Sequence, residues 1–195
     1  MPNHITNYII PVTSDDKLKE EFFNALRGEN GAVDFNSIIK MPEELQGTIS
    51  GSGAVVPDSE YEEEIKKRKE MQKKNPGAYE GMPISESMQK DYQERFGASD
   101  WYKWSILNWS TKWNAYEINE AELHVKFDTA WSTPLGVFKA LSEKFPTLPF
   151  YVFFADEDLG SNCGVVSCFN GEAKVEDISQ DQQLVEALAI LIKYT

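Results

Sequence analysis

The residues of this chain that carry the most chemistry fall in one stretch, NWSTKWNAYEINEAELHVKFDTAWSTP, positions 108–134. Asn108, Trp109, Lys112, Trp113 and Asn114 gather at its start, Thr129 and Trp131 near its end, and Asp156 and Glu157 follow in a later acidic run. Together they offer indole faces for stacking, amides and hydroxyls for directed hydrogen bonds, and one lysine–carboxylate pair. A base, a sugar or a peptide suits such a set. A structural role is the competing expectation. Indoles at a helix–sheet junction often pack inward with their N–H groups on backbone carbonyls, and Asn and Thr beside them satisfy turns.

Other chemistry is thin. His4 and His124 lack metal-ligand spacing, and neither H-E-x-x-H nor G-x-S-x-G occurs. Asp156, Glu157 and Asp158 read as a solvated strand end before they read as a divalent-cation site. The glycine-rich TISGSGAVVP lacks the ending of a phosphate-binding loop. Cys163 and Cys168 stand five positions apart in an expected strand, on opposite faces and about 16 Å apart, beyond disulfide reach. They are expected to be small buried hydrophobes in a reducing compartment. No catalytic residue, metal site or cofactor is implied.

The elements that must position the 108–134 stretch follow from hydrophobic period and caps. A strand is expected over His4–Val12. A helix capped by Ser14 or Asp15 follows, and then a second strand at AVDFNSII. DSEYEEEIKKRKEMQKKN carries six acids and six bases with almost no apolar face, so it predicts a solvated helix held by i,i+4 pairs such as Glu64–Arg68. Ser85 and Gly97 bracket another helix, with Met88, Tyr92 and Phe96 on its apolar stripe. Trp101 and Trp104 share the face of a short one. KWNAYEI and AELHVKFDTA form a hairpin joined at NEA, with Leu123, Val125 and Phe127 inward and His124, Lys126 and Asp128 outward. Thr133 is the expected cap of a helix with Pro134 in its first turn. FYVFFADED is a buried strand, and Asn170-Gly171 the turn of a last hairpin. The final helix is expected to start at Ser179 in a capping box with Gln182 and to bury Leu184, Leu188 and Leu191. Strands in runs with helices between them are α+β, and the β-α-β pieces suggest split βαβ, ferredoxin-like units.

The chain has 195 residues, 41% of them hydrophobic, enough for one domain with a full core or a core plus an insertion. Its net charge of -13 argues against direct nucleic-acid binding and against an anionic membrane surface. From Asp156 to Glu186 eight acids face Lys174 alone, a net of -7. Such a surface suits solubility, a basic partner, or imitation of a phosphate backbone. The N-terminus lacks the basic and apolar regions of a leader, and ALAILI is too short to span a bilayer. The expected compartment is the cytoplasm.

MPNHITN, NWSTKWNAY, FDTAWSTP and FFADED together resemble the Api92-like family. The matching motifs cover the first strand and most of residues 101–160, and none lies in residues 50–95. Ser110 stands where the family pattern usually has glycine, Thr133 where proline is common, and Asp158 near a usual glycine. The resemblance implies a ferredoxin-like fold and a phage, plasmid or genomic-island setting, and it implies no activity.

The expected architecture is therefore α+β: a ferredoxin-like antiparallel sheet with helices packed mainly on one face. A single domain spans 1–195, with a glycine-rich loop and helical insertion at about 44–98. The expected function is a non-enzymatic binding or interaction module of a mobile element, with a host or phage protein as partner. Two alternatives stand beside it. One is a small-ligand or nucleotide-processing enzyme with a Trp-lined pocket using Lys112 and Asp156 or Glu157. The other is an acidic nucleic-acid mimic.

Overall fold

A computed structural model of the chain describes residues 3–77, 81–121 and 124–194, with the side chains of 193 and 194 left undescribed. Two compact units result: Met1–Lys40 with Asn108–Thr195, and Met41–Leu107, which interrupts the first in sequence.

The first unit begins with β1 (His4–Pro11) and α1 (Asp16–Leu26). The Asp15 carboxylate caps α1 by accepting from the N–H groups of Lys17 and Leu18. The expected strand at AVDFNSII does not form: Phe35–Ser37 is a 3-10 turn, and Val33 makes only an isolated bridge to Arg27. Asp34 accepts the Asn36 N–H at 2.9 Å, a local bond that competes with strand pairing, and fully buried Phe35 anchors the turn.

The second unit holds β2 (Val55–Val56), α2 (Tyr61–Lys74), β3 (Ile84–Ser85), α3 (Glu86–Phe96) and most of α4 (Trp101–Trp109), with β2 and β3 parallel. No residue of α2 is buried, and Glu64 pairs with Arg68 at 3.3 Å and with Lys67 at 3.8 Å. Ser85 caps α3, which ends at Gly97 in the left-handed region; Tyr92 is the buried member of its stripe.

The chain then returns with β4 (Tyr116–Ala121), β5 (His124–Ala130), α5 (Leu135–Lys144), β6 (Phe150–Asp156), β7 (Gly164–Phe169), β8 (Glu172–Asp177) and α6 (Gln182–Tyr194). The expected NEA connection is corrected: Asn119–Ala121 belong to β4, whose last pair is Ala121 with His124. Leu123 lies outside the described residues. Asn170 and Gly171 close the β7–β8 hairpin with φ of 49° and 79°, as a two-residue primed turn requires.

The sheet order is β4-β5-β1-β6-β7-β8, antiparallel throughout. Its first four strands with α1 and α5 form two split βαβ units, a ferredoxin-like fold of α+β class. One face is built from Ile5, Ile9, Val125, Phe127, Phe150 and Val152, with the ring of Phe22 from α1 tilted against Phe150, centroids 5.0 Å apart. α6 covers the opposite face, where Leu188 and Leu191 meet Phe153, Ala155 and Ile178.

Two caps differ from expectation. Thr133 does not cap α5; its hydroxyl donates to the Asn7 Oδ1 at 2.6 Å. α6 starts later than Ser179, because Asp181 accepts the N–H groups of Gln183 and Leu184 at 3.1 Å. Leu184 is exposed, not buried: it lies on the stripe of Leu188 and Leu191 and borders the same groove beside Phe153 and Ile178, but in the first turn of the helix it stays open to solvent.

Asn7 is the polar residue at the centre of this core, fully buried on β1 between β5 and β6. Its Nδ2 donates to the Ile5 carbonyl and to Thr129 Oγ1, both at 2.9 Å, while Oδ1 accepts from Thr133. Asn7→Ala is expected to cost about 2–3 kcal/mol in urea unfolding, because it removes a buried amide with these bonds and strands the buried Thr133 hydroxyl. Adding Thr133→Val to that variant is expected to recover part of the loss, since the hydroxyl that lost its acceptor is then removed as well.

Candidate functional site

The polar stretch folds into a junction in which most hydroxyls and amides point inward. Thr111 donates to the Ala130 carbonyl at 2.9 Å, and Ser132 donates to the Ser110 carbonyl. Ser110 Oγ accepts the Gly136 N–H at 3.2 Å, which satisfies an orphan donor in the first turn of α5 from a distant loop. Ser110 itself sits at φ 65°. A left-handed backbone favours glycine, and the bond from the Gly136 N–H to the serine hydroxyl offsets part of the strain.

The nine candidate residues separate into three groups. Trp109, Asn108, Asn114 and Thr129 serve the junction. Trp109 is 4% exposed and donates its indole N–H to the Ile39 carbonyl at 2.9 Å. Any β-carbon at Gly136 would collide with the Asn108 carbonyl, so this close backbone contact fixes the start of α5 against Asn108. Asn114 accepts from the Phe35 N–H and donates to Asp34 at 2.7 Å; Thr129 is buried beside Asn7. Burial raises the Asp34 pKa, but the hydrogen bonds from Asn114 and Asn36 outweigh it and hold the carboxyl below its ordinary value.

Lys112, Trp113 and Trp131 form a second group on the surface. The Lys112 ammonium lies 4.6 Å from the ring centroid of Trp113 and 4.6 Å from that of Trp131. Both indoles are largely open, 38% and 44% exposed. Trp131 is held at φ 68°, uncommon for so bulky a residue, with its N–H donating to the Asn3 carbonyl at 3.0 Å and its carbonyl accepting from Asn162. Strain of this kind persists where the surroundings over-determine it, and it clusters at functional sites.

The two acids make the third group and do different things. Asp156 is buried and accepts from Asn3 Nδ2 at 3.1 Å and from the Asp158 N–H at 3.0 Å. Glu157 is exposed, and its N–H donates to the His4 carbonyl. β6 pairs with β1 and not with β5, so the acids reach this corner through the first strand.

Two residues of the corner were not singled out from sequence. Tyr116 packs edge-on to Trp113, with centroids 6.3 Å apart, and shares a 2.9 Å hydrogen bond with His4 Nδ1. Burial, then the charges of Asp128, Glu157 and Glu117, push its phenol up to about 12, so it stays neutral. The available signal was strand alternation: His4 and Tyr116 fall on the same outward face as Asp128. Elsewhere, His124 stacks on Tyr8 with centroids 4.3 Å apart, and Cys163 and Cys168 are buried free thiols, the Cys168 thiol pushed up to about 12 by burial. Among the described residues, no group of three or more His, Cys, Asp or Glu is placed to hold a metal ion, and no helix is long and apolar enough to cross a membrane.

Residues 108–188 match the family model described as the ferredoxin-like domain in Api92-like protein. Among solved structures, the crystal structure of a protein api92 from Yersinia pseudotuberculosis is similar over 91% of this chain and 99% of that chain, at 10% sequence identity and a TM-score of 0.43. No curated protein matches the chain.

Trp131→Gly is expected to be more stable than Trp131→Ala by about 1 kcal/mol in urea unfolding, because both remove the ring but only glycine relieves the positive φ. Asn114→Ala is expected to cost about 1–2 kcal/mol at neutral pH. Because the folded-state pKa of Asp34 lies below its unfolded value, the stability it contributes is complete above the ordinary 3.8 and is lost as pH falls through the lower folded value. The Asn114→Ala deficit should therefore shrink in strong acid, as measured by urea midpoints across that range.

Proposed function

We propose that this chain, Api92-like through the ferredoxin-like domain at residues 108–188, is a non-enzymatic binding module of a mobile element that engages a host protein at the surface where Trp113 and Trp131 flank Lys112. The observation that carries this reading is one ammonium placed over two half-open indoles, 4.6 Å from each. Exposed tryptophans side by side are uncommon on a surface without a partner, and Trp is among the residues that dominate interface energetics. The left-handed backbone of Trp131 adds to it, since folding alone favours glycine at that φ. The mobile-element setting is what the family resemblance implies.

A binding role is favoured over an enzymatic one by the state of the acids. The Asp156 carboxylate is already engaged by Asn3 and the Asp158 N–H, a structural commitment that suits it poorly for proton transfer. The deciding experiment is a pull-down from host lysate with wild type and with the Lys112→Ala, Trp131→Ala double variant, read by mass spectrometry. Circular dichroism would establish that the variant folds. A protein captured by wild type and lost by the folded variant is the expected outcome. An unchanged partner list would move the recognition surface to the acidic segment from Asp156 to Glu186.

A further inference from the structure

The two indoles already share a cation. Ring faces carry the negative part of the aromatic quadrupole, and the Lys112 ammonium lies over both. The surroundings have the same sign: exposed Glu157, and Asp128 hydrogen-bonded to Thr6 at 2.8 Å, both act on Tyr116, which packs against Trp113. At -13 the whole chain adds a long-range field of that sign. A phosphate-bearing ligand would be repelled here. A neutral ring or sugar could stack on one indole, but it would have to displace Lys112 without replacing its charge.

We propose that the Trp113–Trp131 slot recognises an arginine side chain in a basic segment of the partner protein, and that Lys112 is an intramolecular occupant which the incoming guanidinium displaces. The proposal rests on the reading of this surface as the recognition surface and adds the chemistry of the partner. A guanidinium is the better occupant for two reasons. It is planar, so it stacks on aromatic faces where an ammonium only approaches them. It is also more weakly hydrated than an ammonium and loses less on entering the slot. Lys112 then holds the indoles apart and keeps them wetted until the partner arrives.

The test uses the full chain and a synthetic peptide of alternating glycine and arginine with blocked ends. The control peptide carries citrulline, which has the shape of arginine without its charge. Binding is followed by titration and by the indole N–H resonances of Trp113 and Trp131. The arginine peptide should shift both resonances and the citrulline peptide neither. Lys112→Ala should bind the arginine peptide about fivefold tighter than wild type, because the internal competitor is gone. Trp113→Ala should lose binding; if that variant misfolds, Trp113→Phe, with its weaker ring face, should bind less tightly than wild type. Binding by Lys112→Ala that is equal to or weaker than wild type overturns the displacement, and equal binding of citrulline overturns the cation. The single variant Lys112→Ala also belongs in the lysate pull-down. A partner lost by that variant alone would leave the recognition surface standing and make Lys112 the contact itself, which sinks the arginine slot. A partner retained by every variant would instead sink the surface.

Discussion

The amide of Asn7 is the interaction on which this corner of the fold depends. A central strand in a ferredoxin-like sheet would ordinarily present an aliphatic side chain to the core. Here a fully buried amide spans from its own strand to β5 and to the turn that leads into α5. In a low-dielectric interior an amide left unpaired is costly, so the partners must be present and well placed. Thr129 and Thr133 supply them, and both belong to the segment that carries Trp131 between them. The amide thereby fixes the path of the turn, and the turn fixes the indole.

The inward commitments explain why the same few residues also produce an exposed aromatic surface. With Thr111 on the Ala130 carbonyl and Ser132 on the Ser110 carbonyl, the two ends of the junction are fastened backbone to side chain. Gly136 closes against the Asn108 carbonyl with no room for a β-carbon. Between these fixed points the chain must reverse within a few residues, and Ser110 and Trp131 adopt left-handed conformations. Trp131 lies outside the hydrophobic core for that reason. Its ring is stabilised by Lys112 instead of by burial, which keeps it available.

Much of this was legible in the sequence, and the failures have physical causes. Period-two alternation in HVKFDTA located both the core and the outward face, and Asn-Gly located the last turn because few dipeptides accept two positive φ angles. The AVDFNSII segment misled because β-branched and aromatic residues favour strands only where a neighbouring strand can pair with them; Asp34 captured the backbone first. Composition marked the 108–134 stretch as unusual, yet it could not say which groups face inward. Asn114 and Thr129 are of the same chemical types as surface ligands, and only the register of β1 against β5 turns Thr129 toward Asn7. His4 and Tyr116 were missed because their meeting depends on three strands lying side by side.

The pairing of Lys112 with two tryptophans is also a solution to a solubility constraint. Two open indoles on one surface form an apolar patch of the kind that drives nonspecific association. Covering them with aliphatic side chains would remove the patch but also bury the rings. A lysine covers them differently: its stem lies along apolar surface while its ammonium stays hydrated and is attracted by both faces. Each ring contact is weak for a pair near the surface, on the order of 0.5–1 kcal/mol, so the rings themselves offer little resistance to a competing cation. The weakness of the contact is what lets one residue protect the indoles and still yield them.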